Sequence, residues 1–402
     1  MMAAAKVFSA DFANKVMTGL LGLVLIRYLQ PAEFAYFALG LSAAYLSNQI
    51  IGGGFNRIYI LVIYELNVKS NRTAFLILQI LVALTINLLF LPMFGLPPKV
   101  ILAALFLSLV LCGVEFIKTI YQSELQFSKF SLVEFTRTFL FASVTLALIL
   151  TLSTPVEAWM VLGAQAVTAA GVSVWPLLSL ISRPGTKDWR HAIQLARSIL
   201  AGRYILLFIY FCLIGLHSQT ELVMLRYIGG VETVASFGAA FRYYAILAVA
   251  LNSLHTVLAP LIQEVKSQDE YSRLIREYRK WALMPIAVVV VAMVAATWII
   301  PLIDNGKYPA SIAVFRVLAC AAVISLLFSP FVHVLIRLER FGFLVKLVGV
   351  AWAFGIGLNA VLIPLYGPLG AAMSLFVSSF IINFSIYRKA RGECLFPSNW
   401  PT

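Results

Sequence analysis

Val24-Leu-Ile-Arg-Tyr-Leu29, followed by Glu33, reads against Val223-Met-Leu-Arg-Tyr-Ile228, followed by Glu232. Arg27 pairs with Arg226, Tyr28 with Tyr227 and Glu33 with Glu232, and each copy closes a long apolar stretch. The copies stand close to half the chain length apart. That spacing predicts two structurally related halves, a recurrent construction among membrane transporters.

The composition around the phrase fits a membrane chain. Of 402 residues, 61% are hydrophobic and only 12% charged, with a mean hydropathy of +0.94. A soluble domain is about half apolar and about a quarter charged. The excess must face lipid, and runs such as 286–300 and 344–363 show where it lies. A helix needs about 20 mostly apolar residues to cross the hydrocarbon core. Lipid cannot satisfy a backbone N–H or C=O, so these runs are helices and not open strands. Twelve spans are predicted, near 7–28, 34–56, 73–92, 100–120, 131–152, 156–180, 194–217, 233–262, 280–301, 311–333, 343–363 and 368–387. The first carries Asp11 and Lys15 and has no small-residue cleavage site, so it reads as a retained span rather than a signal peptide.

The net charge of +13 would suggest nucleic acid in a soluble protein, but here its distribution has another cause. Cytoplasmic flanks of membrane helices are rich in Lys and Arg. With the N-terminus in the cytoplasm, only Arg27, Lys99, Arg226 and Lys307 of the 30 basic residues fall on outer flanks. Lys15, Arg242 and Arg316 fall within spans, and all the others lie inside. A wrong span count would scramble this alternation, so twelve spans with both termini inside are expected, and no nucleic-acid partner. Cys112, Cys212, Cys320 and Cys394 have no zinc-like spacing and read as small apolar residues.

The natural break is Ser182-Arg-Pro-Gly-Thr-Lys-Asp-Trp-Arg190, which joins turn residues to a basic cluster and separates six spans from six. The expected lobes are therefore 1–182 and 183–402. Because six is even, both enter from the same side and form parallel repeats. A weaker echo joins the inner loops after spans 4 and 10, residues 125–130 against 338–343. No loop has room for a soluble domain. No G-x-x-x-x-G-K-[ST] occurs, and Gly52-Gly-Gly54 lacks the following Lys-Ser/Thr and reads as a packed turn. Neither a cofactor nor a metal is expected.

Charges inside a span are costly and tend to mark a pathway. Arg242 lies roughly 13 Å from the outer end of span 8, and Lys15 roughly 12 Å from the inner end of span 1. Asp11 and Lys15, spaced i, i+4, share one helix face. They form an intrahelical ion pair or, alternatively, Lys15 binds an anion in a watery cavity with Asp11 as an ion-coupling group. Arg316 is shallower, within reach of the interface by snorkelling. These four are the candidate site: Lys15, Arg242 and Arg316 for substrate and Asp11 for the coupling ion. Glu115, Glu124 and Glu134, among Lys118, Lys129 and Arg137, read as interfacial charge pairs. His255 and His333 read as helix-packing residues. No carboxylate pair, Ser/His/Asp set or metal cluster assembles, so the sequence carries no sign of an enzyme.

The end of span 11 and the start of span 12 read Leu358-Asn-Ala-Val-Leu-Ile-Pro-Leu-Tyr-Gly-Pro-Leu-Gly-Ala-Ala372. Pro364 and Gly367 make a tight turn there, and Gly370, Ala371 and Ala372 let two helices approach closely. The stretch resembles the N-x-x-L-I-P-x-Y-G-x-x-G-A-A segment of polysaccharide flippases in the multidrug/oligosaccharidyl-lipid/polysaccharide (MOP) exporter superfamily. Arg27-Tyr-Leu-Gln-Pro-Ala-Glu-Phe34 is similar to that family's R-x-L-x-P-x-E-F/Y-G, with Ala35 in place of the last Gly. Phe237-Gly-Ala-Ala-Phe-Arg242 resembles its Y-x-x-A-x-R, and Gly306-Lys-Tyr-Pro-Ala-Ser311 its G-x-x-Y-x-x-A/S. Leu222-Val-Met departs from the Asp-containing start usual near span 7.

The resemblance implies an all-α polytopic membrane protein of about twelve transmembrane helices in two pseudo-symmetric six-helix lobes. It also implies a flippase of the O-antigen (Wzx) type in the cell inner membrane. Such a protein moves an undecaprenyl-pyrophosphate-linked oligosaccharide from the inner to the outer leaflet, acting as a monomer amid membrane lipid. A polysaccharide polymerase and a chain-length regulator are the partners it implies for lipopolysaccharide and other surface-polysaccharide biosynthesis. Lys15 and Arg242 would meet the pyrophosphate in a hydrated cavity, and alternating access would be driven by an ion gradient or the membrane potential. The competing readings are a multidrug or lipid II exporter of the same superfamily and a membrane polysaccharide polymerase. A drug exporter should prefer acidic groups for cationic drugs, and a polymerase a large charged outer loop.

Overall fold

The computed structural model describes residues 2–56, 59, 72–124, 126–180, 190, 193–194, 197, 205–265, 267–338 and 340–393, with side chains at all of these except 2–13, 15, 53, 127, 248–257, 259–261 and 263–264. Twelve α-helices run through them and no strand occurs among them. They are α1 (Met2–Tyr28), α2 (Pro31–Ile50), α3 (Arg72–Phe90), α4 (Pro98–Ser123), α5 (Phe127–Thr151) and α6 (Ala158–Leu180). The second six are α7 (Ile205–Met224), α8 (Val231–Glu264), α9 (Gln268–Asp304), α10 (Ser311–Arg337), α11 (Phe341–Tyr366) and α12 (Pro368–Gly392). One helix answers each predicted span. Nine helical segments among the described residues, at α3–α7 and α9–α12, are long and apolar enough to cross a membrane. Their outward faces carry bare apolar side chains, such as Trp175 (80% exposed) and Leu302 (75%). This is an all-α, multi-pass membrane fold.

Local chemistry sets the helix ends. Pro31, Pro98 and Pro368 each open a helix, where a missing N–H costs nothing. Gly95 and Gly367, at φ 58 each, take the left-handed turns after the 3₁₀ segment Leu91–Phe94 and after α11. Several ends shift by about one turn from expectation, and two shift further. α9 begins at Gln268, where the Ser267 hydroxyl accepts from the Glu270 N–H at 3.2 Å, so most of the stretch between the expected spans 233–262 and 280–301 is helix. α7 continues past residue 217 through Ser218-Gln-Thr-Glu221, where Ser218 and Gln219 meet partners on α2 and Thr220 bonds back to the Leu216 carbonyl.

The chain divides into two compact units, Met1–Tyr227 and Ile228–Thr402. The lobe boundary expected at 182/183 lies outside the described residues. In the first unit α4 packs on α6 and α2, α1 on α5, and α7 on α2. An aromatic cluster fills its centre. Phe75 and Phe116 stack at 6.1 Å, and Tyr59 meets Phe75 edge-on at 4.8 Å. Gly52-Gly-Gly54 lies in a π-helical turn, Ile51–Phe55, pressed on α7, where a Cβ on Gly54 would sit 2.9 Å from the Phe208 ring. A second π turn, Leu225–Gly229, follows α7 and is pinned by Arg226 donating to the Gly95 carbonyl at 3.2 Å.

In the second unit α10 packs on α8, α9 and α12, and α12 packs on α11. The α11–α12 approach explains the small residues read there. A Cβ on Gly370 would fall 2.0 Å from the Leu362 carbonyl oxygen, so only hydrogen fits. Arg337, at the end of α10, caps α8 by donating to the carbonyls of Ile262 and Val265, the latter at 2.8 Å.

Candidate functional site

Polar groups inside the spans are where a path for a polar solute must be sought. In the first unit α2 and α7 share a polar seam. Ser42 donates to Gln219 Oε1, and Ser218 donates to Gln49 Oε1 at 2.7 Å. Half a turn beyond Gln219 stands Glu221, only 3% exposed. It lies eight residues before the end of the apolar segment at Gly229, roughly 12 Å deep at the helical rise. No ion pair to Glu221 occurs among the described residues of this unit. His217 sits one turn below it, half-buried. A buried carboxylate needs a compensating positive charge, and a proton or small cation is the simplest one.

A second group joins α4 to α5. Lys118 Nζ lies 2.8 Å from Glu115 and 3.0 Å from Glu134, and Glu134 also takes the Arg137 guanidinium at 2.5 Å. Two acids and two bases therefore balance. They were expected at the membrane interface. Glu115 lies eight residues inside the end of α4 and Arg137 lies within α5, and the structure joins the expected pairs into one network between the two helices. Arg72 pairs with Glu124 nearer the helix ends.

In the second unit Arg242 is half-buried on α8. Its neighbour Tyr243 donates to Asp304 Oδ2 at 3.2 Å, and Asp304 Oδ1 accepts from the Gly306 N–H at 2.8 Å. Asp304 is thus a buried cap on the end of α9, and Arg242 stands beside that seam. Burial and the nearby Asp304 charge push the Tyr308 hydroxyl, in the loop that follows, well above the usual phenol range. Arg316 on α10 donates to the Met293 carbonyl at 3.0 Å and to Thr297 Oγ1 at 3.4 Å, which ties α10 to α9. Lys15 and Asp11 lie on α1, and their side chains fall outside the described residues. Reading the sequence missed Glu221, because its neighbours Ser218, Gln219 and Thr220 look like a loop. Extending the apolar period of 205–216 by two turns would have found it.

No protein-family model and no curated protein sequence matches the chain. Its fold is that of known transporters. It is similar to the lipid II flippase MurJ in an inward closed conformation, with a TM-score of 0.74 and 13% identity over 96% of this chain and 87% of that one. It is similar to an inward-facing multidrug resistance MATE family transporter of the MOP superfamily, with a TM-score of 0.68 and 15% identity over 94% of each chain. A eukaryotic MATE transporter follows at 0.61, with 12% identity over 98% of this chain and 95% of that one. The fold class read from the sequence, twelve helices in two lobes, is the one these transporters share.

Proposed function

We propose that the protein is a transporter that flips an undecaprenyl-pyrophosphate-linked oligosaccharide across the cell inner membrane by alternating access, with both termini cytoplasmic. The likeness of nearly the whole chain to a protein named a lipid II flippase carries the reading. The flippase-like segments of the sequence narrow it to a surface-polysaccharide precursor such as an O-antigen unit. The substrate head is anionic. Arg242, half-buried beside a polar seam, suits it, and Lys15 would be its second cation, whereas Arg316 serves mainly to join two helices. Glu221 joins Asp11 as a candidate for the coupling ion. The protein works as a monomer amid membrane lipid and delivers its product to a polysaccharide polymerase and a chain-length regulator.

One observation favours a second reading. Glu221 is a buried acid, and an exporter of cationic drugs needs one. Deleting the gene in its native host and staining surface polysaccharide on a gel separates the two. Loss of long chains, restored by wild type but not by Lys15→Ala or Arg242→Ala at equal membrane level, supports the flippase and its cationic path. Unchanged polysaccharide in a host with no redundant flippase, together with new sensitivity to cationic drugs, overturns it in favour of the exporter.

A further inference from the structure

Helix α9 has 37 residues. At 1.5 Å per residue it is about 55 Å long, far more than a hydrocarbon core of about 30 Å requires. Two exposed tryptophans show which part is in the bilayer. Trp281 is 44% exposed and Trp298 70%. They stand 17 positions apart, roughly 26 Å, which is close to the separation of the two aromatic belts of a membrane. Between them one face of α9 is bare and apolar, through Leu283, Met284, Val291 and Val294. Below Trp281 the same face continues as Lys280, Arg276 and Arg273, all exposed and spaced by four and three residues. Lys280 and Arg276 fall roughly 2 and 8 Å beyond Trp281, at headgroup depth, and Arg273 at its outer edge. Arg279 flanks them, also exposed. The acids of this segment do not cancel the patch. Asp269 and Glu270 sit in the first turn, further out, and among the described residues Glu277 pairs with Lys280, at 3.3 Å.

We propose that this face of α9 is a binding site for an anionic phospholipid of the surrounding bilayer. Its phosphate rests on Arg276, Lys280 and Arg273, and its acyl chains lie along Leu283 to Val294. Charge and shape together select the occupant. A zwitterionic lipid offers the same chains but cancels its phosphate with its own amine. A soluble anion has no use for the apolar run. Basic residues at a membrane surface attract anionic lipid, and three on one face favour it over the bulk. The inference does not depend on what the protein transports.

The test uses fluorescence. Two single-tryptophan proteins keep either Trp281 or Trp298, with the other tryptophans changed to Phe, and are placed in phosphatidylcholine vesicles free of lipid-linked sugar. Dibrominated phosphatidylglycerol should quench Trp281 several-fold more than dibrominated phosphatidylcholine at the same mole fraction. The two lipids should quench Trp298 equally. Arg273→Gln/Arg276→Gln/Lys280→Gln should abolish the difference at Trp281. Equal quenching of Trp281 by both lipids, or a preference that survives the triple change, overturns the site. Should the single-tryptophan proteins fail to fold, native mass spectrometry of the protein with all its tryptophans decides. It should retain phosphatidylglycerol over phosphatidylcholine, and the triple variant should not; equal retention refutes the proposal.

Discussion

The Glu33 carboxylate, in the third position of α2, accepts a hydrogen bond at 2.7 Å from the backbone N–H of Ala158, the first residue of α6. The first four N–H groups of a helix have no partner within it, and a negative charge there also meets the helix dipole. The Glu of the repeated phrase therefore caps a distant helix. Glu33→Ala should lower stability by about 1 kcal/mol, and Glu33→Gln by less. Glu232, its sequence counterpart, is exposed, and Glu232→Ala should change stability by less than about 0.5 kcal/mol. Thermal unfolding in detergent measures both, and equal losses at the two positions would sink the capping role.

The buried network of Glu115, Lys118, Glu134 and Arg137 makes an unequal forecast for its two acids. Among the described residues Glu134 serves both cations, whereas Glu115 serves Lys118 alone. Removing one partner from a buried ion pair costs about 3–5 kcal/mol, because the other charge is left uncompensated. Glu134→Gln should approach that loss and sharply reduce the yield of monodisperse protein. Glu115→Gln should cost clearly less, because Lys118 keeps Glu134. If the two variants prove equally damaging, Glu134 is not the shared acceptor.

These two cases show how far the sequence could be read. The span count was legible because lipid demands long apolar runs, and each run became one helix. The repeat was legible as words but not as register. The α2 cap is Gln30 and the α8 cap is Gly230, so in helix register Glu33 corresponds to Thr233 and not to Glu232. Burial repeats in that register too, with Phe34, Ala35 and Phe37 buried like Val234, Ala235 and Phe237. The π turn Leu225–Gly229, absent at the end of α1, supplies the extra residue. The weaker echo behaves alike. Glu124 N–H to Ile120 O and Gln126 N–H to Tyr121 O match Leu338 N–H to Val334 O and Arg340 N–H to Leu335 O, one residue off the sequence alignment. Pairings across helices, such as Lys118 with Glu134, depend on which helices are neighbours, and hydropathy does not carry that.

Gly370 tests the close approach of α11 and α12. Its missing side chain leaves room for a backbone carbonyl, which cannot swing aside as a side chain can. Gly370→Ala should destabilise by at least about 1–3 kcal/mol. Gly342, near the start of α11, has nothing within 4 Å of a would-be Cβ. Gly342→Ala should be neutral or stabilise by up to about 1 kcal/mol. A Gly370→Ala protein that melts with wild type would mean that the two helices do not meet there.

Glu393, just past α12, accepts from Lys389 at 2.9 Å and Arg340 at 2.6 Å, and these bonds hold its carboxyl below the usual range. A carboxyl whose folded value is depressed adds stability that is full above its unfolded value, about 4.3, and is lost as pH falls through the folded value. Wild type and Glu393→Gln should therefore differ at neutral pH and converge in acid. Melting curves from about pH 7 to pH 3 show this, and a gap that stays constant with pH would exclude the mechanism.

Glu221 gives the most informative single change, since its carboxylate is buried in α7 with no ion pair among the described residues of its unit. A group that structure alone required would be replaced by an amide at a cost, because its hydrogen bonds would be disturbed. A group kept for its charge is instead a burden on the fold, and the neutral amide removes the need to compensate a buried charge. Glu221→Gln should therefore melt at or above the wild-type temperature. In reconstituted vesicles, the same variant should move substrate at a rate that no longer responds to an imposed proton or sodium gradient, and Glu221→Asp should keep part of the response. The two readouts must move in opposite senses for the coupling role to stand. A destabilised Glu221→Gln protein with an intact gradient response would make Glu221 a packing residue and return the search for the coupling ion to Asp11.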